Sequence, residues 1–257
     1  MIEAVFTARR EQGRAALIPY VTAGHPGGDS TVPLLEALAD AGADVLELGI
    51  PFSDPLADGP TIQRSSFASI ESGTTVTRVL GHLAAFRARR DTPVVLFTYL
   101  NPVLRYGFDR FLMDAVASGA NGLLLTDLPA GADRSLEDAV IRSPLDFVRL
   151  VAPTTSIERV PEIARGGSGF LYYISRTGVT GARSDLPSGL EKEVGALRAS
   201  VALPVAVGFG ISTPEQAASV GSVADGVVVG SALVRTLEES GIDAGASFLA
   251  SLRAALD

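Results

Sequence analysis

The stretch DVLELGIPFSDPLADGP, residues 44–60, begins as a short apolar strand and continues as a loop that contains Pro and Gly. Side chains alternate between the two faces of a strand, so Glu47 shares a face with Val45 and Gly49, whereas Leu46, Leu48 and Ile50 lie on the opposite face. The loop then adds two more carboxylates, Asp54 and Asp58. One face of this strand is therefore suited to packing against helices, and the fold has to accommodate a carboxylate on the other.

Short β-type runs of this kind recur along the chain and are separated by helical patterns. Several are almost continuously apolar, as expected for parallel strands that are covered on both faces. Eight strand–helix units in 257 residues favour a (β/α)8 barrel, the TIM-barrel architecture, as a single α/β domain over residues 1–257 with extra short helices, one of them between the second and third strands. An open doubly wound sheet is the alternative, but no GxGxxG motif follows the first strand. The eight runs are IPYVTA (18–23), DVLELGI (44–50), PVVLFTY (93–99), GLLLTD (122–127), FVRLVA (147–152), GFLYYIS (169–175), PVAVGFG (204–210) and DGVVVGS (225–231).

In such a barrel the polar face of the second strand points inward, and active sites lie at the carboxyl ends of the strands. Glu47 is then expected inside the barrel, near its mouth. A carboxylate in that position is costly to ionise unless it is paired, so we expect the pKa of Glu47 to be raised. The alternative is a structural glutamate that is paired with an inward arginine such as Arg149.

Composition excludes several kinds of chemistry and partner. The chain has no Cys, which excludes disulfides, a thiolate nucleophile and a cysteine-ligated metal. A net charge of −8 without a basic cluster argues against nucleic acid and anionic membranes as partners. No apolar run approaches the roughly 20 residues of a membrane span, and the charged amino terminus lacks an apolar signal core. A cytoplasmic protein is therefore expected.

The scarcity of Lys and His narrows the catalytic options. The single lysine, Lys192, lies in a polar helical segment, which argues against a Schiff-base aldolase. The two histidines, His25 and His82, lie in different segments, so no metal site is predicted, although His25 follows the first strand and could line the mouth. The pattern thus predicts acid/base chemistry without a metal. The remaining candidates for proton transfer are Glu47, Asp58, Asp127, Tyr99, Tyr172 and Tyr173.

Glycines end the last two predicted strands. Gly208 and Gly210 let a ligand approach the backbone closely, and Gly230 and Ser231 precede a helical pattern. Backbone N–H groups and a helix amino terminus after the seventh and eighth strands are typical of a phosphate site, with ordinary tight turns as the alternative. The segment 175–189, rich in Gly, Ser and Thr, predicts a mobile lid or else a surface loop without a role.

Several motifs, taken in order, resemble the tryptophan synthase alpha subunit family over almost the whole chain. They are LIPYVTAG, LELGIPFSDPLADGPTIQ, FTYLNP, DLP, SRTGVTG, GFGIS and ADGVVVGSALV. The resemblance implies a TIM barrel that cleaves indole-3-glycerol phosphate by a retro-aldol reaction to indole and glyceraldehyde 3-phosphate, in tryptophan biosynthesis. It also implies an alpha2beta2 heterotetramer in which indole passes to a beta subunit that uses pyridoxal phosphate, while the alpha chain itself carries no cofactor.

The resemblance further implies roles for individual residues. Glu47 is expected to be the general acid/base at indole C3 and the substrate hydroxyl, and Asp58 to accept a hydrogen bond from the indole N–H. Two positions depart from some relatives, since His25 stands where they have Asp and Phe97 where they have Leu. The other expected positions are an indole pocket (Tyr20, Phe97, Tyr172, Phe209), a phosphate site (Gly181, Gly210, Gly230, Ser231, beside Gly208 from the glycine pattern), the lid residue Thr180, and the partner-facing Pro51, Phe52, Ser53, Asp54 and Pro55.

Two other functions remain open at this point. One is a stand-alone lyase that releases free indole. The other is a regulatory partner with negligible turnover that activates the beta subunit, and the intact pair of Glu47 and Asp58 argues against it.

Overall fold

The computed structural model describes residues 1–174, 189–208 and 210–257. Its strands are all parallel and belong to one sheet. They are β1 (Ala16–Thr22), β2 (Leu46–Gly49), β3 (Val94–Thr98), β4 (Gly122–Leu125), β5 (Asp146–Phe147), β6 (Arg149–Val151), β7 (Leu171–Ile174), β8 (Val205–Gly208) and β9 (Gly226–Val229). The order in the sheet is β5-β4-β3-β2-β1-β9-β8-β7-β6.

The fifth predicted strand closes this sheet into a barrel. It is divided at Val148 into β5, which pairs with β4, and β6, which pairs with β7. The N–H of Val148 donates to the carbonyl of Leu123, so the ring of strands continues through the division. The two ends of the sheet are thus consecutive pieces of one chain segment. The prediction of a (β/α)8 barrel is confirmed, and the alternative of an open doubly wound sheet is wrong.

Helices surround the barrel, and the predicted extra helix between the second and third strands is present. Two helices also follow β3, where one was expected. Within the described ranges, no helix is long and apolar enough to cross a membrane. The helices are α1 (Ile2–Glu11), α2 (Thr31–Asp40), α3 (Pro60–Glu71), α4 (Val76–Arg87), α5 (Leu100–Tyr106), α6 (Phe108–Ala117), α7 (Arg134–Arg142), α8 (Val160–Ala164), α9 (Leu190–Ser200), α10 (Pro214–Gly221) and α11 (Ser231–Leu256), the last kinked at Gly241.

Helix α1 closes the amino-terminal end of the barrel. Ile2 and Phe6 are almost completely buried, and the ring of Phe6 lies 5.4 Å from that of Phe170, which immediately precedes β7. An added side chain on the neighbouring strands would require α1 to shift, because a Cβ at Gly226 would lie 2.8 Å from Phe6 and one at Gly122 would lie 3.0 Å from Ile2. Helix α1 therefore fills the amino-terminal end of the interior, and we expect a ligand to enter from the carboxyl ends of the strands.

A buried ion pair ties both termini to the start of β2. The carboxylate of Asp44 accepts hydrogen bonds from Arg9 Nε at 2.7 Å, from Arg253 Nη1 at 2.9 Å and from the backbone N–H of Leu17 at 2.8 Å. Asp44 and Arg253 are both less than one-tenth exposed. This cluster fixes α1 and α11 against the strand that carries Glu47.

Replacing Asp44 should cost much more stability than replacing an exposed partner of an arginine. Asp44→Asn keeps the side-chain volume but leaves the buried guanidinium of Arg253 without its main counter-charge, so we expect the free energy of unfolding to fall by about 3 kcal/mol. Asp40→Asn is the matched control, because its pair with Arg90 is exposed, and should cost about 0–1 kcal/mol. Urea unfolding measures both, and equal costs would contradict the role of the buried cluster.

Candidate active site

The carboxyl group of Glu47 lies inside the barrel. In β2 it pairs in register with Tyr20 of β1 and Val95 of β3, both of which face the interior. Glu47 is fully buried, and neither carboxyl oxygen has a hydrogen-bond partner among the described residues. Burial raises the pKa of Glu47 from 4.5 to about 8, because an apolar environment disfavours the charged form. The side chain therefore holds its proton at neutral pH.

The alternative of a structural pair between Glu47 and Arg149 is wrong. Alternation along the fifth strand places Val148 in the interior cluster and turns Arg149 outward. There its guanidinium forms a buried ion pair with Glu137 of α7 and lies 3.9 Å over the ring of Phe147. Arg149 is thus neutralised on the far side of the barrel wall, and the carboxyl group of Glu47 stays unpaired.

Asp58 lies in the loop between β2 and α3, at the barrel mouth. Its Oδ2 accepts a hydrogen bond of 2.9 Å from the hydroxyl of Tyr99, which follows β3. Partial burial raises the pKa of Asp58 from 3.8 to about 6, and the hydrogen bond from Tyr99 acts in the opposite direction. At neutral pH this carboxyl is mainly ionised, in contrast to that of Glu47.

The carboxyl groups of Glu47 and Asp58 lie near the same two tyrosines, Tyr20 and Tyr172. We call the space that these four side chains surround the chamber. Burial raises the pKa of Tyr20, and the charges of Asp58 and then Glu47 raise it further. Burial likewise raises the pKa of Tyr172, with the charge of Glu47 next and that of Asp58 after it. Both carboxylates therefore raise the pKa of two tyrosines that lie on different strands. The predicted acid/base pair, Glu47 and Asp58, thus lies beside two of the predicted pocket residues, Tyr20 and Tyr172.

Aromatic side chains form the walls of the chamber. The rings of Tyr20 and Phe97 meet edge to face with their centroids 5.2 Å apart. The Tyr172 side chain lies against Gly208, where an added Cβ would be 2.5 Å from the hydroxyl oxygen of Tyr172. Tyr20 lies against Gly49 in the same way, and an added Cβ there would come still closer to the hydroxyl oxygen of Tyr20. The glycines thus make room for rings in the interior. Phe209, the fourth predicted pocket residue, lies outside the described residues.

The predicted phosphate-binding residues lie at the ends of β8 and β9. Gly208 ends β8, and Gly210 has a φ of 61° that favours glycine. Gly230 immediately precedes α11, in which Ser231 is the first residue, and it has no side chain to cap the helix. The first N–H groups of a helix lack partners within it, so they can bind an anion. Gly181 and Thr180, the predicted phosphate and lid residues on the segment 175–189, lie outside the described residues.

Gly230 lies beside Tyr20, so the predicted phosphate-binding residues are next to the aromatic side chains of the chamber. A Cβ at this position would lie 3.7 Å from Cβ of Tyr20. Tyr20 in turn belongs to a small buried cluster with Ile62 of α3 and Val234 of α11. The helix that would hold a phosphate therefore packs directly behind the ring that faces the two carboxyl groups.

Three other residues that the sequence offered as candidates for the barrel mouth, Asp127, Tyr173 and His25, have different surroundings. Asp127 accepts the backbone N–H of Leu100 at 2.6 Å and so caps α5, while Tyr173 faces outward and donates to Glu193 at 2.7 Å. His25 is buried in the loop after β1, and burial lowers its pKa. In the part of the chain that the structure describes, no three His, Cys, Asp or Glu side chains are grouped so as to hold a metal ion.

The predicted partner-facing segment, residues 51–55, lies on the outer side of the same loop. Pro51 and Pro55 are buried, whereas Ser53 and Asp54 are exposed and bonded to each other, with 2.6 Å from Ser53 Oγ to Asp54 Oδ2. Leu56, the next residue, is 93% exposed. Asp54 therefore points away from the chamber that contains the other two carboxyl groups.

Two residues around Tyr20, and the role of Tyr99, were not predicted from the sequence. Ile62 and Val234 complete the cluster around Tyr20 but were not named, although Ile62 stands within the signature-like stretch that follows Asp58. Tyr99 was named only as one of several proton-transfer candidates. The sequence placed it at the end of the predicted third strand, but its hydrogen bond to Asp58 spans 41 residues of chain and has no local signal.

The burial of Glu47 predicts a specific dependence of stability on pH. Between its unfolded pKa near 4.5 and its folded pKa of about 8, the native state holds a proton that the unfolded chain has released. The contribution of this group to stability is therefore complete below pH 4.5 and declines as the pH rises towards 8. Glu47→Gln removes the titration, so relative to wild type it should gain about 1.4 kcal/mol per pH unit across this window. Urea unfolding of both proteins at several pH values measures the difference, and a difference that does not vary with pH would contradict the raised pKa.

The chain matches the family model described as tryptophan synthase alpha chain over residues 6–254. It is 44% identical to the tryptophan synthase alpha chain of Geobacter sulfurreducens, over 99% of this chain and 98% of that one. It is 49% identical to the tryptophan synthase alpha chain of Gluconacetobacter diazotrophicus, over 91% and 86%. A solved structure of Mycobacterium tuberculosis tryptophan synthase matches with a TM-score of 0.92 at 38% identity, over 99% and 97%. The solved alpha chain of Legionella pneumophila matches with a TM-score of 0.91 at 38% identity, over 100% and 97%. The chain belongs to the tryptophan synthase alpha chain family.

Proposed function

We propose that this chain is a lyase of tryptophan biosynthesis that cleaves indole-3-glycerol phosphate to indole and glyceraldehyde 3-phosphate by retro-aldol chemistry. The observation that carries the proposal is the fully buried carboxyl group of Glu47, which has no hydrogen-bond partner among the described residues. Burial raises its pKa to about 8, and the chamber also contains Asp58. Membership in the alpha chain family supports the choice of substrate.

Glu47 performs both proton transfers in this mechanism. Its protonated form donates to indole C3, which makes the ring an electron sink. The resulting carboxylate then removes the proton from the hydroxyl on the adjacent side-chain carbon. The C=O bond forms, the bond from that carbon to C3 breaks, and the electron pair returns to the ring as indole. One proton is given and one is taken, so Glu47 ends in its starting state.

Asp58 stabilises the charge that develops between these two transfers. Protonation at C3 places positive charge on the ring nitrogen, and an ionised carboxylate that accepts the N–H hydrogen bond lowers the energy of this state. The pKa of Asp58, about 6, keeps it ionised at the pH at which Glu47 is still protonated. The two carboxyl groups thus divide the roles of acid and electrostatic stabiliser through their different burial.

The rest of the chamber fits the two halves of the substrate. Tyr20, Phe97 and Tyr172 offer aromatic surfaces for indole, and Phe209 is proposed with them. Gly210, Gly230 and Ser231 offer backbone N–H groups and a hydroxyl for the phosphate, and the amino terminus of α11 adds a favourable dipole. Gly208 is proposed beside them as the position where the backbone of β8 lies close to the ligand. Gly181 is proposed as a further phosphate contact, and Thr180 as the lid residue that reaches Asp58.

Membership in a family of alpha chains implies a complex with a beta chain. We propose an alpha2beta2 heterotetramer in the cytoplasm, in which the beta subunit holds pyridoxal phosphate and receives indole, with no cofactor in this chain. Pro51, Phe52, Ser53, Asp54 and Pro55 are the proposed contact with that subunit. The exposure of Asp54 and of Leu56 beside it supports this assignment. The carboxyl pair gives no support to a purely regulatory role.

Removing either carboxyl group should abolish most turnover. Glu47→Gln removes the group that we assign to both proton transfers and should lower kcat about 10²–10⁴-fold. Asp58→Asn keeps the shape of the side chain but removes its charge, and should lower kcat about 10²–10³-fold. Release of indole from indole-3-glycerol phosphate measures both effects.

Asp127→Asn is the matched control for these variants. It lies at the same barrel mouth, and an asparagine can still accept the N–H of Leu100 that the carboxylate accepts at 2.6 Å. This variant should therefore keep wild-type turnover. Wild-type rates in Glu47→Gln would refute the acid/base assignment, and wild-type rates in Asp58→Asn would refute the electrostatic one.

A further inference from the structure

Tyr99 occupies a position from which its hydroxyl reaches two consecutive residues of the loop that carries Asp58. It follows β3 and precedes α5, and its side chain is almost completely buried. The hydroxyl donates to Asp58 Oδ2 at 2.9 Å and accepts the backbone N–H of Ala57 at 3.0 Å. One phenol thus holds both the side chain of Asp58 and the backbone just before it.

The direction of these two hydrogen bonds matters. A phenol has a single O–H donor. Because its oxygen accepts the N–H of Ala57, its one proton is directed at Asp58, and this arrangement favours an ionised carboxylate. The interaction opposes partial burial, which by itself raises the pKa of Asp58.

Among the described residues, no cation competes with Tyr99 for this role. The charged or titratable groups that share the chamber are Tyr20 from β1, Glu47 from β2 and Tyr172 from β7. Over the described ranges, Asp58 forms no ion pair with an arginine, lysine or histidine. The hydroxyl of Tyr99 is therefore the group in that part of the chain that stabilises the negative charge of Asp58.

The ring of Tyr99 is itself held in place from the outer side of the loop. The ring of Phe52 packs on it at an angle of 38°, with the centroids 5.2 Å apart. The ring contact between Phe52 and Tyr99, together with the two hydrogen bonds of the Tyr99 hydroxyl, thus joins the end of β3 to the loop after β2; we call this set of contacts the bracket. Such a bracket limits the orientations that the carboxylate can adopt.

We propose that Tyr99 is a positioning residue for the reaction, which holds Asp58 in the ionised form and aims it at the indole N–H. Its effect on turnover acts through Asp58 and rests on the proposed function, whereas its effect on the protonation of Asp58 does not. The two effects can be measured separately, so the failure of one is distinguishable from the failure of the other.

The test is Tyr99→Phe in the full chain, which keeps the ring on Phe52 and removes only the hydroxyl. NMR of 13Cγ-labelled aspartate reports the titration of Asp58, assigned by the loss of its signal in Asp58→Asn. We expect the midpoint to rise by about one pH unit, a tenfold change in proton affinity. Tyr106→Phe is the matched control, since the hydroxyl of Tyr106 donates to Asp114 at 2.6 Å on the outside of the barrel, and it should leave the Asp58 midpoint unchanged.

The kinetic measurement is the pH profile of kcat/KM for indole release. Tyr99→Phe should lower kcat/KM about tenfold more near pH 5.5 than near pH 8, because the acid limb follows the ionisation of Asp58. A loss that is equal at all pH values, with an unchanged Asp58 midpoint, would overturn the inference and leave the proposed function intact. A shifted midpoint in a chain that cleaves no substrate would overturn the proposed function and leave the effect on Asp58 standing.

A second substitution covers the case in which Tyr99→Phe does not fold. Incorporation of 3-fluorotyrosine at position 99 keeps the hydroxyl and nearly the same volume but makes the O–H a stronger donor. It should therefore lower the Asp58 midpoint. An unchanged or raised midpoint in this protein would contradict the proposal.

Discussion

The burial of one carboxyl group without a counter-charge is the constraint on which the rest of the structure depends. Glu47 sits on a strand whose other face packs against helices, and it has no hydrogen-bond partner among the residues described. An ionised carboxylate in such a position is strongly disfavoured. The fold tolerates this residue because a protonated carboxyl group carries no charge, and the retained proton makes the group a proton donor at neutral pH.

The chamber around Glu47 is closed at the amino-terminal end of the barrel. Helix α1 fills that end with Ile2 and Phe6, so we expect ligands to enter at the opposite end. Glycines at positions 49 and 208 let the rings of Tyr20 and Tyr172 cross the interior. Asp58 is closer to the mouth and bonded to Tyr99, so its charge is tolerated. Two carboxyl groups of similar intrinsic acidity thereby acquire different protonation states.

The sequence was sufficient for the fold and for the inward direction of Glu47, because both follow from local periodicity. Alternation within the strand and the repetition of eight strand–helix units need no knowledge of distant contacts. The alternative that placed Arg149 inside the barrel was wrong. Apart from Arg149 itself, the fifth strand carries apolar side chains on both faces, so alternation alone left open which face turns inward. What decided the phase was Glu137 on α7, which provides the buried partner for the guanidinium. Contacts between elements far apart in the chain, such as Tyr99 with Asp58 and Ile62 with Tyr20, could not be predicted either, because they produce no local periodicity in the sequence.

The proposed mechanism depends most directly on the protonation state of Glu47 in the native protein. NMR of 13Cδ-labelled glutamate across a pH series, with the signal assigned by its absence in Glu47→Gln, measures this state without substrate or partner. The structure predicts a midpoint for Glu47 near pH 8. A midpoint close to the ordinary glutamate value of 4.5 would show that the carboxyl is ionised at neutral pH, and would contradict its assignment as the proton donor.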